Sequence, residues 1–347
     1  MEWIESLLTY YQANARDLPW RRTRDPYRIW ISEIMLQQTR VEAVRGYYAR
    51  FLETLPNVAS LAAVEEDRLL KLWEGLGYYS RARNLKRAAE VIQKEHGGTL
   101  PRDYDALSKL PGIGTYTAGA IASIAFDIPV PAVDGNVLRV IARKDADDAD
   151  ILAESTRRRV RDTLLDCMPK DRPGMFNQAM MELGATVCVP NGAPHCDICP
   201  IAFCCKAHLA GNETDYPVKA KKAARRIEQK TVFAVETPKG YLGCRRPDKG
   251  LLAGLFQLPD TMGRLSDAEM LDWLGAHGLH PTGEIRMYER VHIFTHVEWH
   301  MRVCAVSLSK VPPLPDSWLV LDKDQHSLPT AYRICLPFDR MEMPAVE

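Results

Sequence analysis

Apolar residues recur at helical spacing through roughly the first 210 residues and at alternate positions through much of the remainder. Trp3, Ile4, Leu7, Leu8 and Tyr11 open the helical pattern, and a Leu-Pro-Trp break closes that first run near residue 20. Further helices are predicted over 28–38, 41–54, 58–63, 66–76, 81–95, 103–109, 115–126, 135–143, 153–166 and 175–186, most of them separated by Pro, Gly or Asp. From about residue 229 the period becomes two, in KTVFAVET, YLGCRRP, LFQLPD and VHIFTHVEWHMRVCAVSL, with Pro-Lys-Gly and Asp-Lys-Gly turns between strands. One helix, roughly 267–277, interrupts the strands. The pattern therefore predicts an all-helical region over 1–213, a linker over 214–228 and an α+β domain over 229–347 with a mostly antiparallel or mixed sheet.

Composition narrows the class. The 347 residues are 46% apolar and 26% charged, as in a soluble globular protein, and are long enough for two or three domains. Formal net charge is zero, so any affinity for nucleic acid must come from local patches. Lys219, Lys221, Lys222, Arg225 and Arg226 form such a run in the linker, which reads equally well as a solvated tether. The N-terminal MEWIESLLTY lacks a basic n-region and an apolar h-region, and no stretch approaches a membrane span. Nine cysteines without a secretory signal point to a reducing, cytoplasmic setting and to metal or thiol chemistry.

Three stretches carry candidate chemistry. In LPGIGTYTAGAIASIAF (110–126), Gly112 and Gly114 make a tight turn that opens a buried helix, and exposed N–H groups there suit a phosphate. In YRIWISEIMLQQTR, Glu33 lies among Ile29, Trp30, Ile34 and Leu36; desolvation favours the neutral carboxyl, which is a general acid near neutral pH. In PAVDGNVLRVIAR, Asp134 precedes a helix, so it caps the N-terminus and is offered to the helix N–H donors that stabilise a carboxylate. One proton donor and one anion follow the logic of two-carboxylate glycoside hydrolysis.

These motifs resemble those of the MutY adenine DNA glycosylases, a branch of the helix-hairpin-helix base-excision superfamily, from Asp17 to about Pro337. WISEIMLQQTR, LPGIGTYTAGAI with VDGNV, and the cysteine loop carry the resemblance most specifically. It implies a six-helix module over about 22–130 and an iron–sulfur module over about 1–21 and 131–213. It also implies that Glu33 protonates adenine at N7 and that Asp134 stabilises, or transiently bonds, the sugar carbon. Water activated by Glu33 then completes hydrolysis with retention. Tyr116 and Asn136 match positions that line the site and orient Asp134. Lyase relatives carry a catalytic lysine where this chain has Tyr116, so a monofunctional enzyme is expected. Gln38 and Tyr78 would enter the base stack beside the orphan base, Thr39 and Leu76 would contact that base, and Arg21 and Gln178 would line the adenine pocket. The implied partner is double-stranded DNA carrying adenine opposite 8-oxoguanine or guanine, bound by a monomer.

Cys188, Cys196, Cys199 and Cys205 are spaced x7, x2 and x5 within 18 residues, which admits zinc or one 4Fe–4S cluster. The family pattern is x6, x2, x5, so the resemblance implies the cluster, with one extra residue in the first gap. Cys204 adjoins Cys205, but only Cys205 keeps the last gap. Cys167, Cys244, Cys304 and Cys335 read as core thiols.

The C-terminal part, with LGCRRPDKGLLAGLFQLP, is similar to the MutT-like (Nudix-like) domain of MutY enzymes. LSDAEMLDWLGAHGL stands where a nucleotide hydrolase needs its glutamate-rich, magnesium-holding helix, so hydrolysis of nucleotides is not expected. Phe294, Thr295 and His296 fall on the family's loop for recognising 8-oxoguanine, whose middle residue is commonly serine. Two competitors remain: another excision enzyme of the superfamily (a thymine or uracil mismatch glycosylase, or an endonuclease III-like lyase), and a non-catalytic protein that binds damaged DNA.

Overall fold

A computed structural model describes residues 1–220 and 224–337. Among these described residues fourteen α-helices appear in chain order: α1 Glu2–Asn14, α2 Pro26–Leu36, α3 Val41–Thr54, α4 Val58–Ala63, α5 Glu66–Leu72, α6 Ser80–Glu95, α7 Tyr104–Ser108, α8 Thr115–Phe126, α9 Gly135–Asp145, α10 Glu154–Cys167, α11 Pro173–Thr186, α12 Lys206–Ala210, α13 Asp267–Ala276 and α14 Thr330–Arg333. Seven strands accompany the last two: β1 Arg226–Thr237, β2 Gly240–Arg245, β3 Phe256–Gln257, β4 Asp260–Met262, β5 Arg286–Ile293, β6 Val297–Ser307 and β7 Trp318–Leu321. Contacts divide the chain into two compact units, 1–64 with 83–222, and 65–82 with 223–347. Lys221 and Lys222 of the basic run lie outside the described residues. Among the described residues no helix is long and apolar enough to cross a membrane.

In the helical unit, α2 begins on Asp25, whose carboxylate accepts the Tyr27 N–H, with Pro26 in the first turn. From Ile29 to Met35 every residue is buried, so that stretch of α2 has no solvent face. It packs on α8, which is small or apolar on all sides. α8 is also closely packed against the segment before α9 and against α11: a Cβ at Gly119 would lie 2.6 Å from the Pro131 carbonyl oxygen, and one at Gly174 would lie 2.7 Å from the Ser123 carbonyl oxygen. A second core joins α1, α9, α10 and α11 through Leu7, Leu8, Val140, Leu164, Phe176 and Leu183.

In the second unit the sheet runs β3-β2-β1-β6-β5, with β4 beside β1 and β7 beside β2. β1 and β6 are parallel along 226–236, and the other pairs are antiparallel, so the sheet is mixed. Strand alternation sends Phe233 and Val235 to the face covered by α13, and Val232 and Ala234 to the face covered by α14. The α5 segment joins this unit through an Asp67–Arg245 ion pair and through Glu74, which accepts the Leu328 N–H at 2.8 Å.

Candidate active site

Glu33 sits in the last turns of α2, 5% exposed, within the stretch of that helix that is buried from Ile29 to Met35. Burial pushes its carboxyl up to about 7; the neighbouring Asp134 adds to the rise, while the Tyr116 hydrogen bond and Arg21 oppose it. The Tyr116 hydroxyl, on the first turn of α8, donates to Glu33 Oε2 at 2.6 Å. The phenol itself stays protonated, raised well above its usual range by burial and by the Glu33 and Asp134 carboxyls.

Asp134 is the N-cap of α9. Its Oδ1 accepts the Val137 N–H at 2.8 Å and its Oδ2 accepts the Asn136 side-chain amide at 2.7 Å. Burial nevertheless raises its carboxyl above the ordinary value, so the capping donors oppose the rise without cancelling it. Of the two carboxyls, Asp134 holds the anion-stabilising donors, and among the described residues Glu33 has only a phenol, so the proton belongs on Glu33. Asn136 is itself held by buried Arg139, which donates to its Oδ1 at 2.9 Å and to the Cys188 carbonyl at 2.8 Å.

Glu33, Tyr116, Asp134 and Asn136 line one cleft of about 760 Å³. Arg21, Gln178, Gln38 and Thr39 line it too. Gln178 accepts from the Tyr11 hydroxyl at 3.0 Å. Sequence reasoning missed Glu182, which also faces this cleft. Its carboxylate receives Arg16 at 2.7 Å and Arg21 at 2.6 Å, and these partners bring it down to about 2 despite burial. The only signal was its place one turn past Gln178 on the same helix.

Two family models match successive parts of the chain. Residues 31–164 match the HhH-GPD superfamily of base excision DNA repair proteins, and residues 231–337 match the NUDIX domain. The chain is 36% identical to adenine DNA glycosylase of Mus musculus, over 88% of this chain and 71% of that one. It is 32% identical to adenine DNA glycosylase of Buchnera aphidicola, over 87% and 85%. Among solved structures it is similar to a thermostable thymine-DNA glycosylase, with TM-score 0.55, 29% identity and coverage of 60% of this chain and 95% of that one. A trapped endonuclease III–DNA intermediate follows, with TM-score 0.51, 26% identity and coverage of 60% and 94%. This chain belongs to the adenine DNA glycosylase (MutY) family. It is a DNA-repair N-glycosylase, a hydrolase that removes adenine.

In this glycosylase Gly112 has φ +74°, and a Cβ there would meet Asn84 at 2.5 Å, so the turn before α8 requires glycine. Gly114 is the N-cap of α8 and is exposed. Gln38 is exposed with φ +59°. In the second unit, Tyr78 is 52% exposed with φ +47°. Non-glycine residues held in this region of backbone space are strained, and such strain gathers at functional sites. The Tyr78 hydroxyl lies 3.1 Å from the Thr295 hydroxyl. Thr295 and His296 are exposed at the β5–β6 turn, while Phe294 is half-buried with its ring edge-on to Trp299 at 4.9 Å. Leu76 is buried, and the Arg81 guanidinium donates to its carbonyl oxygen at 2.8 Å, fixing the turn from inside. Tyr79 is buried as well, so the tandem tyrosines divide into one packed ring and one presented ring.

Cys188, Cys196, Cys199 and Cys205 line a single small cavity next to α9 and α11, and Cys204 does not line it. Four thiols converging on one space fit the donor set of a 4Fe–4S cluster in this glycosylase. Arg143 donates to Cys188 Sγ at 3.3 Å and to the Val189 carbonyl at 2.9 Å, which places a buried cation beside the ligand set.

Proposed function

We propose that this glycosylase removes adenine mispaired with 8-oxoguanine or guanine in double-stranded DNA, by hydrolysis without strand cleavage. The observation that carries the reading is the buried Glu33 carboxyl at about 7, on the same cleft as the helix-capping Asp134. A cleft of about 760 Å³ is within the usual range for a whole ligand, as an extruded nucleotide requires.

Glu33 gives its proton to N7 of the flipped adenine, and the bond from N9 to the sugar carbon breaks. Asp134 stabilises the oxocarbenium sugar or bonds to it transiently, held in place by Asn136 and the Val137 N–H. Glu33, now a carboxylate, takes a proton from a water that attacks the sugar carbon from the face adenine has left, releasing Asp134 as the carboxylate, so the configuration is retained. Tyr116 has no amine to form a Schiff base, and Leu138, one turn after Asp134, offers none either.

Arg21, Gln178 and Glu182, which line the cleft, read the edge of the base. Gln38 and Tyr78 fill the stack, and Thr39 contacts the orphan base. Thr295, with Phe294 and His296, recognises 8-oxoguanine through a hydroxyl. Gly112 and Gly114 present N–H groups to a phosphate. Cys188, Cys196, Cys199 and Cys205 hold a 4Fe–4S cluster, which would supply structural order to the loop.

Single-turnover base release on duplexes with adenine opposite 8-oxoguanine, guanine, cytosine and thymine tests the reading. Fastest release opposite 8-oxoguanine, then guanine, with little opposite cytosine or thymine is expected. Equal release opposite all four bases contradicts it.

A further inference from the structure

The cysteine cavity holds more donors than a four-thiolate cluster uses. Cys196 Sγ, a ring nitrogen of His208 and a carboxylate oxygen of Glu213 all lie within 4.8 Å of one another, and among the described residues no other group of three such donors is this compact. We propose that the cluster-free glycosylase binds one divalent cation of the zinc class through Cys196, His208 and Glu213.

The local chain builds this convergence. α12 starts directly after Cys205, so His208 returns one turn later on the wall of the same cavity. Gly211, at φ +67°, ends the helix, and the chain turns back so that Glu213 reaches the His208 ring. His208 Nδ1 and Glu213 Oε1 are 2.6 Å apart, close to one point in space. The backbone behind Glu213 is fixed, because the Arg143 guanidinium donates to its carbonyl at 2.9 Å and to the Tyr216 carbonyl at 3.0 Å.

One thiolate, one imidazole and one carboxylate are the donor types that zinc accepts, and a tetrahedral ion would leave its fourth position to solvent. All three residues are partly exposed, so an ion has a route in. The set is not the cluster's set. Cys188, Cys199 and Cys205 are outside it, and His208 and Glu213 are outside the four thiols. Cys196 is common to both, so the two occupancies exclude each other. A single ion at this corner would occupy the loop before, or instead of, cluster assembly.

Cobalt(II) titration of the full-length, cluster-free protein tests the proposal, read by the visible ligand-field bands of a tetrahedral site and by displacement with zinc. A single equivalent of cobalt with a thiolate charge-transfer band is expected. His208→Ala and Glu213→Gln should each weaken cobalt binding by roughly tenfold or more, while iron and sulfide reconstitution restores the cluster absorption as in the wild type. Cys188→Ala should do the reverse, keeping the cobalt site and losing the cluster. Far-UV circular dichroism confirms that each variant remains folded. Cobalt binding that survives His208→Ala and Glu213→Gln, or that disappears in Cys188→Ala, assigns the ion to the thiols and overturns the proposal. So does the absence of cobalt binding. Failure of the wild type to take up a cluster would count against the cluster reading alone, because the cobalt arms do not depend on it.

Discussion

The Tyr116 hydroxyl donates to Glu33 Oε2 at 2.6 Å, and among the described residues it is that carboxyl's one hydrogen-bond donor. The contact sets the chemistry of both groups. A phenol that keeps its own proton steadies the Glu33 side chain without neutralising it permanently, and brings no amine to the cleft.

Replacing Glu33 by Gln should slow adenine release by a factor of about 10² to 10⁴ while duplex binding survives, because the amide keeps the shape and the acceptor but has no acidic proton. The same change should stabilise the fold at high pH. Between 4.5 and about 7 the folded protein holds a proton on Glu33 that the unfolded chain has released, so stability falls as pH rises across that window. The full shift corresponds to roughly 3 kcal/mol as an upper bound. Thermal unfolding should show Glu33→Gln gaining stability near pH 8 and not near pH 4; an equal change at both pH values contradicts a buried, protonated Glu33.

The Tyr116 hydrogen bond holds the Glu33 carboxyl lower than burial alone would. Tyr116→Phe should therefore move the alkaline limb of the pH–rate profile upward, whatever it does to the maximum rate. An unmoved limb separates the two groups. Borohydride treatment during turnover of the wild type should trap no protein on DNA, and strong covalent capture would return the lyase reading.

Asn136 is the side-chain donor to Asp134 Oδ2, whereas the cap proper is the Val137 N–H on Oδ1. Asn136→Ala should slow base release by about tenfold to a hundredfold, with little loss of helix, since one charge-assisted hydrogen bond is removed. Gly184→Ala should slow it in the same direction from outside the cleft, because the added Cβ would sit 2.6 Å from the Asn136 Cβ. Circular dichroism and single-turnover rates together check both, and a wild-type rate in either variant removes Asn136 from the positioning of Asp134.

Tyr78→Phe and Thr295→Ala each break the 3.1 Å hydroxyl pair. If the pair presents the wedge and the lesion-reading hydroxyl together, both variants should lower the preference for 8-oxoguanine over guanine. The measurement is the ratio of single-turnover rates on the two duplexes. A ratio unchanged by both takes this turn out of recognition.

Much of the helical unit was legible because its helices are bounded by local signals. The predicted 41–54, 58–63 and 115–126 coincide with α3, α4 and α8. The run predicted over 66–76 stops at Leu72, because Gly75 and Gly77 take positive φ in the turn that presents Tyr78. α12 was missed: five residues after a cysteine are too few to show a period. In the second unit β7 and α14 are short, and the run through VHIFTHVEW is two strands with a turn at 294–296, which alternation alone does not divide. The carboxyls Glu33 and Asp134 could be read from their neighbours in the chain. Glu182 could not, since its meaning lies in Arg16 and Arg21, some 160 residues away. Nor could the burial of Leu76, which depends on Arg81 folding back over the turn.

The central claim is that Glu33 works as a buried neutral acid. Single-turnover adenine release measured from about pH 5 to about pH 9, on a duplex with adenine opposite 8-oxoguanine, tests it most directly. The rate should fall about tenfold per pH unit above an apparent pKa near 7, as the carboxyl ionises, and Glu33→Gln should remove both the rate and the limb. A flat profile through pH 9, or a Glu33→Gln enzyme that keeps the wild-type limb, would show that some other group supplies the proton.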